Sequence, residues 1–209
     1  MLDYTNLYIR FGLGRDFDPT HPRWQEYVAG LGDVEDRREW TYRFYGARPD
    51  PPPPGVVATS GCFSYAWLDS GRIRLHFHAS DGDGRSPLGQ ECRDRRLADL
   101  TALFASLKHS APTPSRVVGA SWLYNLMAYR RLFPEPYLAT AQVVRQRFRH
   151  MPLWGQFVNR HGDVRGDVAG QFRDRLRHHS SLQNLDDCFP FQVLALEAPV
   201  VEFYDFYSV

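Results

Sequence analysis

The pattern of residues 62–78 constrains the fold of this chain more than any other feature of its sequence. Two runs that alternate apolar with polar or small residues, 62–68 and 72–78, flank the short sequence Asp69-Ser70-Gly71. Alternation with period two is typical of strands with one buried face, and Asp, Ser and Gly are common turn residues. The pattern therefore predicts a β-hairpin, with Gly71 at a position of positive φ.

The second strand of this predicted hairpin separates its side chains by polarity. Ile73, Leu75 and Phe77 share one face, and the opposite face carries a polar set: Arg72, Arg74, His76 and His78. Because successive side chains of a strand point to opposite faces, both imidazoles are predicted to point the same way.

Apolar residues at helical spacing predict several helices. A short helix is predicted around Trp24 and Leu31, and an amphipathic helix over residues 88–107. Helical structure is also predicted up to Phe133, where Pro134 ends it, and over residues 137–150 and 164–178.

Alternation predicts further strands. Residues 39–45 place Trp40, Tyr42 and Phe44 on one face, and residues 116–120 fit a buried strand. Residues 191–207 are predicted to be rich in strand, with Pro199 dividing the segment or marking an edge. Since strands come before and after a helical middle, the predicted fold class is α+β with a mixed or mostly antiparallel sheet.

The length of 209 residues fits one domain, so we expect a single α+β domain over residues 1–209. Prolines dominate residues 49–55 and predict a rigid surface loop; a proline motif bound by a partner is the alternative. The sequence has no run of 18 apolar residues, and its first residues lack the pattern of a signal peptide. We therefore expect a soluble cytoplasmic protein that does not enter membranes.

The near-absence of lysine excludes several classes of enzyme. Lys108 is the single lysine of the chain, and it stands in none of the motifs by which phosphate-loop proteins, protein kinases and pyridoxal enzymes use a lysine. The cysteines, Cys62, Cys92 and Cys188, are too widely spaced for a disulfide framework or a zinc motif.

The densest polar cluster begins at the end of the second hairpin strand. His76 and His78 are followed by Asp81 and Asp83 in the sequence Asp81-Gly82-Asp83-Gly84. Imidazoles beside carboxylates can divide general acid and base roles, with His76 as the base and Asp81 as the orienting carboxylate, or can bind a metal ion. A solvent-facing histidine pair beside a polar turn is the structural alternative. A calcium loop is excluded because Arg85 would occupy a ligand position.

Ser121 stands between a predicted strand and predicted helical residues, in the sequence Gly119-Ala120-Ser121-Trp122-Leu123. This position resembles that of a nucleophilic serine, and Trp122 beside it is a further candidate site residue, but the second glycine of the nucleophile motif is missing. Ser121 as the N-cap of a helix is the alternative.

Charge is distributed unevenly along the chain, although its net charge is only +1. Residues 141–180 are rich in arginine, whereas residues 181–209 contain five acidic residues and no Lys or Arg. An arginine-rich segment can bind phosphate groups, but the two segments can also neutralise each other, and near-neutral charge makes a nucleic-acid partner unlikely on electrostatic grounds.

The order of features from Arg74 to Gln183 resembles the C-terminal domain of some bacterial GNAT-like acyltransferase proteins. The resemblance consists of His76, a polar loop, a helix, and three short sequences: Ser121-Trp122-Leu123, Leu132-Phe133-Pro134 and Ser181-Leu182-Gln183. It covers about half of the chain. It implies an α+β acyl-CoA fold in which backbone N–H groups of a glycine-bearing turn hold the pyrophosphate; the usual sequence of that turn has no counterpart here.

Two functional hypotheses follow. The first is a transferase that acts on a small molecule with acyl-CoA, in which Arg145, Arg147 and Arg149 bind the anionic cofactor. The second is a non-catalytic interaction module, in which residues 203–207, with four aromatic side chains, form an edge strand that pairs with another copy of the chain.

Overall fold

The computed structural model describes residues 20–46, 56–78, 85–110, 112–144, 153–159, 163–179 and 182–209. The chain divides into two compact units, Met1–Pro54 and Gly55–Val209. The boundary coincides with the end of the proline tract, and the predicted loop at residues 49–55 lies outside the described residues. The single domain over residues 1–209 stays a prediction, and the two units are described separately.

The first unit contains a helical hairpin of α1 (Pro22–Asp33) and α2 (Arg37–Gly46). The short helix predicted around Trp24 is confirmed, but the strand predicted at residues 39–45 is wrong. Asp36 Oδ1 accepts hydrogen bonds from the backbone N–H groups of Arg38 and Glu39, both at 2.9 Å, which caps α2. Trp40 and Phe44 are four residues apart, a spacing that fits a helix face as well as a strand face.

The packing of this hairpin explains why the helix forms. The ring of Phe44 lies 5.3 Å from that of Tyr27 in α1 and 5.6 Å from that of Trp40. Trp40 Nε1 also donates a hydrogen bond to the Tyr27 carbonyl at 3.2 Å. One aromatic cluster therefore joins the two helices. The alternating pattern of residues 39–45 did not indicate this helical packing.

The second unit is built on a six-stranded sheet. Its strands are β1 (Val56–Ser60), β2 (Phe63–Trp67), β3 (Arg72–Phe77), β4 (Arg116–Ser121), β5 (Gln142–Val143) and β6 (Leu194–Pro199). Their order across the sheet is β1-β2-β3-β4-β6-β5. The pair β3/β4 is parallel and the other neighbours are antiparallel, so the predicted α+β class with a mixed sheet is confirmed.

The predicted hairpin is formed by β2 and β3, but its turn does not depend on a glycine with positive φ. Asp69 Oδ1 accepts hydrogen bonds from the backbone N–H groups of Gly71 and Arg72 at 3.1 and 3.0 Å, as an Asx turn does. The prediction of positive φ at Gly71 is wrong: among the described glycines, positive φ occurs at Gly61, in the β1–β2 turn.

Helix α3 (Arg93–Lys108) connects β3 to β4 and covers one face of the sheet. Its buried residues include Leu100, Leu103, Phe104 and Leu107, at the spacing predicted for a helix over residues 88–107. A short 3₁₀ helix, Gln90–Cys92, precedes it. Because β3 and β4 are parallel, a long connection of this kind is required between them.

An ion pair within α3 contacts the β1–β2 turn, because both of its side chains also bond to Cys62. Arg96 is only 1% exposed, its Nη2 lies 3.1 Å from Asp99 Oδ2, and its Nη1 contacts Cys62 Sγ. A Cβ atom on Gly61 would overlap the Asp99 carboxylate. Gly61 therefore meets two requirements, a left-handed backbone and a close approach by a charged side chain.

The C-terminal segment is one strand followed by one helix. Strand β6 ends at Pro199, and helix α7 comprises Val201–Tyr207. The strand-rich structure predicted for residues 191–207, and with it the aromatic edge strand proposed for self-association, is therefore wrong beyond Pro199. Phe203 stacks on Phe104 of α3 at 4.9 Å, and burial against this neighbour accounts for the helix.

The helices between β4 and β5 are shorter than predicted. Helices α4 (Met127–Arg130) and α5 (Glu135–Leu138) are one turn each. The helix predicted over residues 137–150 is wrong after Leu138, because Gln142–Val143 pairs with β6 as β5; residues 145–150 lie outside the described residues. Helix α6 (Gly166–Arg177) confirms the helix predicted at residues 164–178.

Candidate functional site

The parallel strands β3 and β4 pair only at their amino-terminal halves. Residues 72–74 are in register with residues 116–118, whereas β3 continues to Phe77 and β4 to Ser121. In the described part of the chain these two strands make no further pairing with each other. Open sheets with parallel strands bind ligands at the carboxyl ends of those strands. We call this unpaired region, residues 75–78 and 119–122, the β3–β4 gap.

The two predicted imidazoles lie beside each other at this gap. His76 is opposite Ser64 of β2, and His78 follows the end of β3. Their ring centroids are 6.4 Å apart and their planes differ by 24°. Two residues apart on one strand, the rings stack on the same face of the sheet, as the alternation of residues 72–78 predicts.

The surroundings of His76 change the pKa of its imidazole. Burial, with smaller contributions from the positive charges of Arg74 and His78, lowers the pKa of His76 to about 4. The ring is therefore neutral at pH 7 and offers one ring nitrogen as a hydrogen-bond acceptor.

His78 is exposed, but one of its ring nitrogens is bonded to the sheet. His78 Nε2 lies 3.0 Å from the hydroxyl oxygen of Ser64, a residue that is only 1% exposed. Ser64 fixes the orientation of an imidazole that would otherwise rotate freely. Because its hydroxyl is buried, Ser64 is placed to orient His78 and not to attack a substrate.

The sequence interpretation missed Ser64. The hairpin register pairs Ser64 with His76, and the pair just beyond β2 and β3 joins residues 62 and 78, since His78 N–H donates to the Cys62 carbonyl at 2.8 Å. Once the turn at residues 69–71 is located, this register can be counted from the sequence, so the signal was present in the predicted hairpin.

The apolar face of the gap carries a layer of tyrosines. The hydroxyl groups of Tyr124 and Tyr137 are 2.8 Å apart and buried. A Cβ atom on Gly119 of β4 would overlap both of them. Burial raises the pKa values of both phenols, so they stay protonated at physiological pH.

Ser121 and Trp122 have structural partners. Ser121 Oγ accepts a hydrogen bond from the Leu123 N–H at 3.1 Å and is the N-cap of the 3₁₀ helix Trp122–Asn125. The N-cap interpretation is therefore confirmed. Trp122 stacks on Phe191 at 6.0 Å, in the small aromatic cluster formed by Leu153, Phe189, Val193 and their neighbours.

Five other predicted site residues, Asp81, Asp83, Arg145, Arg147 and Arg149, lie outside the described residues. The described chain resumes at Arg85 and leads into α3. Arg131 fixes the segment that precedes α3, because its Nη2 donates hydrogen bonds to the carbonyls of Leu88 and Gly89 at 3.0 and 2.9 Å. The start of α3 is thus anchored to the α4 region of the same unit.

Mutual neutralisation of the arginine-rich and acidic segments stays a prediction, because Arg145, Arg147 and Arg149 lie outside the described residues. Glu197 of the acidic segment pairs with Arg116 and, at 3.8 Å, with Arg72, and neither arginine belongs to residues 141–180. Asp186 is 4% exposed, and neither of its carboxylate oxygens has a hydrogen-bond partner among the described residues.

Within the described ranges, no three His, Cys, Asp or Glu side chains form a group that could hold a metal ion. None of the helices described has the length and apolar character needed to cross a membrane. Comparisons with protein families, curated proteins and solved structures found no match to the chain. The site combines a neutral imidazole, a second imidazole oriented by a serine, and two strand ends that do not pair with each other. A neutral imidazole can accept a proton.

Proposed function

We propose that this protein is an acyl-CoA-dependent acyltransferase whose reaction takes place at the β3–β4 gap. The observation that carries the proposal is that two neighbouring parallel strands stop pairing after three residue pairs, where β3 presents two imidazoles. These strand ends pair with β2 and β6 on their outer sides. Their facing edges, which do not pair with each other, leave backbone N–H and C=O groups for an elongated ligand with amide groups, such as the pantetheine arm of coenzyme A. The resemblance to GNAT-like acyltransferases supports the same class of cofactor.

The chemistry requires a proton acceptor. An acceptor amine attacks the thioester carbonyl, the new C–N bond forms, the C–S bond breaks, and coenzyme A leaves as its thiolate. The amine proton passes to a base, and His76 is the first candidate because its imidazole is neutral at pH 7. Asp81 is the proposed orienting carboxylate, and Arg145, Arg147 and Arg149 are the proposed contacts to the cofactor phosphates.

His78 is the alternative base, and the pH dependence of transfer tests the assignment to His76. With a pKa of about 4, His76 is already unprotonated at pH 6. With the rate expressed per concentration of unprotonated amine, transfer through His76 is therefore expected to be independent of pH between about 6 and 8. A rate that rises tenfold across this range would assign the base elsewhere.

Calorimetric titration with coenzyme A and acetyl-CoA tests cofactor binding directly. We expect saturable binding, and the absence of heat at millimolar ligand would overturn the proposal.

Release of the coenzyme A thiol in the presence of a panel of primary amines then tests acyl transfer. The variant His76→Gln is expected to retain binding and to lose roughly 10²-fold or more in rate, whereas Arg173→Gln, which changes an exposed arginine of α6, serves as the control.

A further inference from the structure

A concave surface lies at α4 and α5. It has a volume of about 390 Å³, within the range of small-molecule pockets. Its lining combines apolar side chains with charged ones of both signs: Met127, Arg130, Arg131, Phe133, Glu135 and Leu138. We call it the α4–α5 depression.

Two neighbouring arginines of this depression are used differently. Arg131 is committed to the chain through its hydrogen bonds to Leu88 and Gly89. The hydrogen bonds of Arg130 to described residues are made by its backbone, and its guanidinium group makes no hydrogen bond or ion pair with any residue that the structure describes. A guanidinium group with its donors unused, in a concave surface, is suited to a carboxylate ligand.

Glu135 supplies the opposite charge in the same depression. It is exposed and, like Arg130, has no ion pair within the described ranges, so the two side chains do not neutralise each other. The depression therefore offers one free guanidinium group and one free carboxylate to a ligand. A ligand that carries both a carboxylate and an ammonium group is complementary to this pair.

The apolar part of the depression limits the ligand further. Met127 is 75% exposed, the highest value among the large apolar side chains that the structure describes as exposed. It lies three residues before Arg130, on the same side of α4. Small-molecule sites combine apolar lining with a small number of placed polar groups, and the α4–α5 depression has this combination.

We propose that the α4–α5 depression binds a free α-amino acid with an apolar side chain. Arg130 binds the carboxylate, Glu135 binds the ammonium group, and the side chain packs on Met127 and its apolar neighbours. The proposal does not depend on the acyltransferase reaction, since it concerns binding at a different part of the fold.

Calorimetric titration without coenzyme A tests this proposal, with L-leucine as the probe. We expect saturable binding to the unmodified protein, a loss of affinity of about tenfold or more in Arg130→Gln, a smaller loss in Glu135→Gln, and no change in Arg173→Gln. Circular dichroism checks that each variant is folded. The absence of saturation at tens of millimolar leucine, or equal affinity in Arg130→Gln, would overturn the proposal.

Analogues of leucine test the class of ligand. Leucinamide lacks the carboxylate, 4-methylpentanoate lacks the ammonium group, and glycine lacks the side chain, so each is expected to bind at least several-fold more weakly than leucine. If 4-methylpentanoate binds as tightly as leucine, the site is a carboxylate site and the assignment to amino acids is wrong.

Discussion

The two faces of the sheet in the second unit are made by alternate residues of the same strands, yet they differ in what they contain. The face under α3 and α7 is an apolar core that includes Ile73, Leu75, Val117, Leu196 and Ala198. The opposite face carries Ser64, Arg72, His76, Arg116 and Glu197, most of them partly exposed. Neighbouring residues of β3 thus have separate tasks, one set stabilising the fold and the other available for chemistry. Substitutions on the apolar face are expected to change the free energy of unfolding. Substitutions on the polar face are expected to change the titration of the imidazoles or the binding of a ligand.

The largest effect is expected from Phe203→Ala, beneath the apolar face. Phe203 is fully buried and stacks on Phe104 at 4.9 Å. Its truncation is expected to lower the free energy of unfolding by about 3–5 kcal/mol, through lost burial and a cavity. Urea denaturation measures this. Phe206→Ala is the matched control in the same helix, since Phe206 is 44% exposed; an equal loss in both would show that α7 is not anchored as described.

Gly119→Ala is expected to have the next largest effect. The added methyl group would overlap the hydroxyl groups of Tyr124 and Tyr137, so we expect a loss of about 1–3 kcal/mol in the free energy of unfolding. Gly170→Ala in α6, where a Cβ atom meets nothing, is expected to stabilise by about 0.5–1 kcal/mol. Thermal denaturation of both proteins compares them, and a stable Gly119→Ala variant would contradict the close approach of the tyrosines.

Ser64→Ala tests the polar face and is expected to have a smaller effect on stability. Its hydrogen bond to His78 is about 3.0 Å long, and because His78 can turn to water, we expect a loss of about 0.5–1.5 kcal/mol. The more diagnostic readout is the His78 imidazole, whose NMR signals are expected to broaden or shift as the ring loses its fixed orientation. Ser70→Ala, in the exposed turn, is the control. An unchanged His78 signal in Ser64→Ala would show that Ser64 does not orient the His78 imidazole.

Near neutral pH, the smallest effect on stability is expected from the titration of His76. Its pKa of about 4 lies below the ordinary value of 6.5, so the unfolded chain binds more protons than the folded protein between these values. The contribution to stability is therefore fully present above pH 6.5 and is lost as the pH falls toward 4. His76→Gln is expected to flatten this part of the stability–pH curve, as measured by urea denaturation at several pH values. An NMR titration with a His76 midpoint near 6.5 would contradict the burial of the ring.

Local sequence patterns predicted the secondary structure correctly where a pattern fits only one type of element. The hairpin β2/β3 combined alternation with a turn of Asp, Ser and Gly, and α6 combined helical spacing with polar ends. Ser121 as an N-cap required only a hydroxyl side chain before a helical segment. In each case the deciding contacts are within a few residues of one another, so the sequence contains them directly.

Aromatic segments misled the sequence interpretation for one physical reason. Residues 40 and 44 lie on one face of a strand and also on one face of a helix, and the aromatic residues of the 203–207 segment were likewise read as a strand. Aromatic side chains have high strand propensity, which favoured the strand in both places. The helices form because Asp36 caps α2 and because Phe203 packs on Phe104 of α3. The second of these contacts spans about a hundred residues.

The sequence by itself determined the α+β class, the hairpin and the common orientation of His76 and His78, because strand alternation is a local property. Tertiary structure alone decided that β4 lies parallel to β3 and that their pairing ends at Arg74 and Val118. It also decided how deeply His76 is buried and hence the direction of its pKa shift. These features depend on contacts between distant parts of the chain, and no local pattern of residues encodes where two strands stop pairing.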